Sequence, residues 1–299
     1  MAVRWTDLVD PTADELLAVA PRLDPEALEL LAAPAGDGRD VRPLLETHGS
    51  VMLGILLLPV HLDEENRFGY LELGLVGTPD QLVTVRKSGV GGRIATTAQA
   101  QPPASPTGGT GWLIHGLVDD VAESYLDLVD SLYQEIDELE DHIDELPGTT
   151  MRHRLVDLRH EMLHARKNVT ATRAMVRRVI DGRLDLGDGR LFPREIESAF
   201  ADTYDTLVRA TEELDVARDL LASVRDYLQA KIAENQNEVV KRLTVIASLV
   251  LVPTLITGFY GQNFEGVFDR PLWTLTTSVA LIAGTTVLQL AVFRWKRWL

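Results

Sequence analysis

The sequence predicts an α+β protein with a membrane hairpin: a small N-terminal α/β cytoplasmic domain, a long helical stalk and two C-terminal transmembrane helices. Three observations predict it. Leu243 to Tyr260 is a run of 18 residues without a charge, Pro271 to Phe293 is another of 23, and 10 residues separate them; about 20 apolar residues span the hydrocarbon of a bilayer. From Arg194 no glycine or proline interrupts the chain until Pro253, and Phe200, Leu207, Leu214, Leu221 and Leu228 recur every seven residues, the pattern of one long helix. Ahead of these lie short apolar runs punctuated by Gly, Pro and Asp, the mark of strands and tight turns. The expected division is 1–111 as the α/β domain, 112–193 as a helical pair, 194–242 as the stalk, 243–260 and 271–293 as the spans, 261–270 as an outer loop and 294–299 as a basic tail.

Within the first domain, Thr12-Ala13-Asp14-Glu15 reads as a capping box opening a short helix that ends near Pro21,. Asp24-Pro25 reads as an N-cap with proline at N1, opening a second helix through Ala33,. Gly36 to Arg42 is turn-rich. Val51 to Leu62 is apolar but interrupted by glycine and too short to span a membrane, so it predicts one or two core strands,. Tyr70 to Val76 and Gln81 to Lys87 flank Thr78-Pro79-Asp80, which predicts a hairpin,. Gly89 to Gly111 reads as a loop.

Val118 to Leu146 predicts a helix with an acidic outer face (Asp127, Asp130, Glu135, Asp137, Glu138, Glu140, Asp141, Asp144, Glu145), and Met151 to Ile180 one rich in arginine. A short turn at Pro147-Gly148 makes them an antiparallel pair, with faces that are either complementary or separately solvated. His160 and His164 are four apart on the second helix but lack an HExxH pattern, which leaves them structural,. In the stalk, Thr203, Ala210, Ala217 and Val224 sit three residues after the heptad positions and complete an a/d seam with small residues at d,.

Charge bounds the function. The net charge is −16, yet the last 59 residues hold no acid besides Glu265 and Asp269. The acidity therefore belongs to the region before Lys241, which argues against nucleic acid as a partner and suits attraction of cations. There is no cysteine, hence no disulfide and no thiolate metal site,. The N-terminus MAVRWTDLVDP lacks an apolar h-region, so no signal peptide is expected,. Lys241 and Arg242 precede the first span, and Arg294, Lys296 and Arg297 follow the second. The positive-inside rule then puts both termini in the cytoplasm, with the loop outside, in a multi-pass protein of the cell membrane. Neither a phosphate-cradling glycine motif nor a nucleophile–base arrangement is present, so an organic cofactor and an enzymatic role are not expected.

A pore cannot be built from two helices of one chain, so a pore requires symmetric assembly. Asn237, Val240, Thr244, Ala247, Leu251, Thr254 and Gly258 step by three or four along the first span. This mixed stripe suits a narrow pore or close helix packing.

The stretch NEVVKRLTVIASLVLVPTLITGFYGQNFEGV closely resembles the pore helix and signature loop of the CorA-type divalent cation transporters, usually NExMKxLTxxxxxFxPxTxxxGxYGMNF. WTDLVDPTADELLAVA, QLVTVRKSG, FADTYDTLVR and the RWKRWL tail extend the resemblance over essentially the whole chain. It implies a homopentamer in the lipid bilayer, with hydrated divalent cations as cargo and magnesium as both substrate and regulatory ligand. By motif match, Gly261, Gln262 and Asn263 stand at the outer mouth and Asn237 at the cytoplasmic end. Val240, Leu243 and Leu251 stand at apolar constrictions, Thr254 and Gly258 at further pore-facing positions, and Asp202 in a regulatory cation site between subunits. Glu265 and Asp269 are expected to attract cations at the entrance. The sequence departs from the family pattern in four ways: Gln262 replaces the signature methionine, the loop acids are reduced, Val240 and Leu251 replace pore methionines, and Pro253 sits one residue late. Zinc transport by the same fold, and a membrane-anchored coiled-coil scaffold without transport, are the alternatives; cobalt and nickel are further expected cargo of the first reading.

Overall fold

The structure, a computed structural model, describes residues 3–35, 41–62, 67–89, 109–143, 147–184, 186, 191–261 and 271–298. It divides into two compact units, 1–225 and 226–299.

The first unit is built on a five-stranded sheet of β1 (Arg4–Val9), β2 (Leu44–His48), β3 (Val51–Leu62), β4 (Arg67–Thr78) and β5 (Gln81–Arg86). Their order is β1-β5-β4-β3-β2. β1 runs parallel to β5 and the other pairs are antiparallel. The expected hairpin is β4–β5, closed by Thr78 pairing with Gln81, where the Thr78 hydroxyl accepts from the Gln81 amide at 3.1 Å. The apolar run Val51 to Leu62 is a single strand. It carries no alternation because β3 is central and covered on both faces,.

One cover is α1 (Ala13–Val19) with α2 (Pro25–Ala32). Both caps form as the residues dictate. Thr12 and Glu15 make the reciprocal capping box, and Asp24 accepts from the Ala27 amide at 2.7 Å ahead of Pro25. Leu16, Leu23, Ala27 and Leu31 bury against Leu53, Val76, Val83 and Val85. The fit is close: a side chain at Gly74 would run into Leu31.

The other cover is α3 (Thr110–Asp141), whose Tyr125 hydroxyl reaches the Leu57 carbonyl of β3 at 3.3 Å. α3 begins eight residues ahead of the expected Val118. The added turns bury Leu113, Ile114 and Leu117, and Ile114 reaches the Gly77 position of the sheet. Apolar burial thus extends a helix whose start looks like loop sequence. β1 and β2 were not expected as strands. RWTDLV and LLETH are short and half polar, and pairing with β5 and β3 makes them edge strands,.

α4 (Gly148–Ile180) is the next helix after α3, with Pro147 at its N-cap. The arginines do not form a single face against the acids of α3. Arg154 forks onto Glu135 and also meets Glu161 at 2.9 Å, but Arg166 reaches Asp215 and Arg178 reaches Glu46 of β2. The remaining described acids of the expected face, from Asp127 to Asp141, are exposed, and Asp144 and Glu145 lie outside the described residues. His160 and His164 are exposed.

α5 (Arg194–Tyr260) is one helix of 67 residues with Pro253 inside it. Phe200, Leu207, Leu214 and Leu221, with Thr203, Ala210, Ala217 and Val224, are all buried. The seam is filled within the chain itself: Phe200 packs edge-on against His115 and Phe192, and Tyr133 of α3 donates to the Glu213 carbonyl at 3.0 Å. A heptad read from sequence shows that a partner exists, not whether it is another copy.

Candidate pore-lining face

α6 (Pro271–Trp295) and the end of α5 are the two described helices long and apolar enough to cross a membrane. They pack together in the second unit, where the Gln289 side-chain amide donates to the Ser248 carbonyl at 3.3 Å. Proline opens α6 at its first position, where its missing N–H costs nothing,.

Burial separates the faces of α5. Val245 is 4% exposed, and Ser248, Leu249, Val252, Pro253, Ile256 and Tyr260 are partly covered. On α6 the partly covered positions are Ser278, Ile282, Thr285, Thr286, Gln289 and Phe293, again at helical spacing. The sequence stripe Asn237, Val240, Thr244, Ala247, Leu251, Thr254 and Gly258 is exposed throughout, with Val240 at 60% and Leu251 at 68%. At about 100° per residue this stripe is centred roughly 150° from the covered face. Leu243 lies on the flank of the stripe and is 65% exposed. The pairing of α5 with α6 therefore uses the face opposite the stripe and leaves the stripe for something else.

The two threonines of the stripe have a defined hydrogen-bond sense. Thr244 donates to the Val240 carbonyl at 2.8 Å and Thr254 to the Val250 carbonyl at 2.7 Å. A hydroxyl has one proton and two lone pairs. With the proton spent on the backbone, each threonine offers only acceptors to whatever faces it. Water bound to a cation turns its protons outward and needs such acceptors. Val240, Ala247 and Leu251 between them are apolar, so the face alternates acceptor positions with dry ones.

Gly261 extends the helical ladder, its amide donating to the Thr257 carbonyl at 2.9 Å. Gln262, Asn263, Glu265 and Asp269 lie outside the described residues. Asp202 sits on an exposed position of α5 beside buried Thr203. Among the described residues no group of three or more His, Asp or Glu side chains is close enough to hold a metal ion. The small polar stripe of α6, with Gln289 in it, went unread in the sequence, although polar residues at helical spacing in a charge-free run are a readable signal.

The fold and this face set the chain beside known proteins. A family model described as CorA-like Mg2+ transporter protein matches residues 1–297. The chain belongs to that family. Among CorA-like relatives, the cobalt/magnesium transport protein CorA of Thermotoga maritima is 27% identical over 189 residues, covering 63% of this chain and 52% of that one. The putative metal ion transporter YfjQ of Bacillus subtilis is 26% identical over 157 residues, covering 52% of this chain and 48% of that one. The matched part thus spans about half the length of these two relatives. The complete structure of the CorA magnesium transporter from Methanocaldococcus jannaschii aligns with a TM-score of 0.77 at 21% identity, over 99% of this chain and 91% of that one. This likeness carries the fold, sheet domain and C-terminal helix pair included.

Proposed function

We propose that the chain assembles as a homopentamer in the cell membrane and conducts hydrated divalent cations, magnesium first, along an axis lined by α5. The observation that carries this reading is the exposed stripe from Asn237 to Gly258, set opposite the face that α6 covers. Copies of α5 facing one another across an axis would cover it and give Leu251 and Val240 dry rings. Thr244, Thr254 and Asn237 would give rings that bind the ion's water. The relatives named for cobalt and magnesium transport support this cargo class.

In this reading Gly261, Gln262 and Asn263 form the outer mouth, where side-chain amides engage the hydration shell without stripping it. Glu265 and Asp269 concentrate cations outside. Both termini are cytoplasmic, with the basic residues after Phe293 on that side,. Transport needs no nucleotide: a divalent ion entering an inside-negative cell gains about 4.6 kcal/mol per 100 mV, twice the single-charge figure. A ring of Leu251 closes the path by dewetting. Magnesium bound at Asp202 between neighbouring subunits offsets repulsion among the acidic cytoplasmic domains and holds the path closed. Loss of that magnesium loosens them.

The test is flux into liposomes holding the purified oligomer, with magnesium, cobalt, nickel and zinc each supplied alone and in competition, with and without an imposed potential. Potential-driven uptake of magnesium supports the reading. Zinc uptake that magnesium fails to compete would replace the cargo, as Gln262 at the signature methionine position favours. Absence of any divalent flux would leave the hairpin as an anchor for a scaffold.

A further inference from the structure

Pro253 breaks the hydrogen-bond ladder of α5 at a defined place. It has no N–H, so the Leu249 carbonyl loses the donor four residues on,. A helix missing a rung bends or swivels there. In hydrocarbon the freed carbonyl has no water to turn to. The residue before it, Ser248, receives a donor from outside the helix: Gln289 of α6, whose amide nitrogen lies 3.3 Å from the Ser248 carbonyl. The Gln289 amide carries a second N–H. Its carbonyl oxygen is buried and has no hydrogen-bond partner among the described residues. The orientation of the amide is thus set by α5.

We propose that Gln289 is a positioning residue for the pore-lining helix. Its amide braces α5 at the carbonyl beside the rung that Pro253 removes, and so limits the rotation of Thr254 and Gly258 relative to Thr244 and Asn237. This rests on the reading of that stripe as facing a water-filled axis. Without the brace, the part of α5 beyond Pro253 turns about the break, and residues beside the stripe share its exposure to water. The cost of an uncharged but strongly polar side chain in a charge-free run is offset by that contact.

The chain has no cysteine, so single cysteines report cleanly. In the full-length protein in vesicles, cysteines are placed singly at Thr254, on the stripe, and at Ile256, on the partly covered face, and their labelling by a membrane-impermeant thiol reagent is timed. In the parent, position 254 labels faster. Gln289→Leu lowers the ratio of the two rates by about threefold, the size of an average hydrogen bond between membrane helices. With Pro253→Ala restoring the rung, Gln289→Leu leaves the ratio unchanged. An unchanged ratio in the parent background, or an equal change in both backgrounds, overturns the brace. The double-mutant cycle is also read in thermal unfolding of the detergent-solubilised protein, which does not depend on a pore. Coupling between the two substitutions there supports the brace even if positions 254 and 256 label equally in the parent, an outcome that counts against the pore reading alone. Additive costs there overturn the brace.

Discussion

The Thr203 hydroxyl donates to Asp119 at 2.6 Å and ties α5 to α3 one residue away from Asp202. The threonine is fully buried and also lies 3.3 Å from the His115 ring nitrogen. Thr203→Val keeps the shape and removes the donor. It is expected to destabilise the fold by about 1–2 kcal/mol, since the partner is charged. Urea unfolding of the detergent-solubilised protein checks it; a cost near zero would mean Asp119 is served equally well by water.

Asp202 itself is exposed and contributes no core packing. Asp202→Ala should leave unfolding unchanged and weaken inhibition of flux by internal magnesium about tenfold, equivalent to ~1.4 kcal/mol for one carboxylate contact. Flux measured against internal magnesium decides the matter, and unchanged inhibition removes the residue from the regulatory site.

Asp120 lies on the same stretch of α3. Burial first, then the charges of Glu123 and Asp119, hold its carboxyl above the ordinary carboxylate range,. An acid that is harder to ionise in the folded chain favours the fold while protonated. That stability is present at low pH and is lost as pH rises from the unfolded value through the raised folded one. Asp120→Asn should therefore exceed the parent in stability at neutral pH and converge with it in acid. Thermal unfolding across a pH series reads this out, and parallel curves would contradict it.

Lys87 and Glu72 form a buried ion pair on β4 and the end of β5, and Lys87 also donates to the Leu30 carbonyl at 2.9 Å. Lys87→Met leaves Glu72 without its countercharge and should cost about 3–5 kcal/mol. Glu72→Met with Lys87→Met should recover most of that loss. Chemical denaturation of the two variants makes the comparison; equal losses would show that packing, not charge, dominates there.

Leu251 is the most exposed apolar residue of the proposed pore stripe. Leu251→Asn puts an amide into a dry ring and should raise resting magnesium flux several-fold at saturating internal magnesium. Liposome flux is the measurement, and a variant that stays shut would move the constriction elsewhere.

The local elements were legible in the sequence because their causes are local. Thr12 and Asp24 cap helices through bonds to backbone three residues away, and Thr78-Pro79-Asp80 turns because proline presets its own φ,. The two apolar runs declare themselves by length, and the motif around Gly261 carries the family. The edge strand β1 and the first turns of α3 were not legible, because each is held by residues distant in the chain: Val9 pairs with Arg86, and Ile114 meets the sheet at Gly77. β2 pairs with its neighbour β3 across Gly49-Ser50, so its signal was local but too short and polar to stand out. Which face of α5 meets α6 belongs to the same class. The sequence shows a mixed stripe and leaves its use open. Packing, with Ser248 bonded to Gln289 of α6 and Val245 buried one turn before it, decides that the stripe is the uncovered face. Periodicity reports that a helix has sides; only contacts between elements say what each side touches.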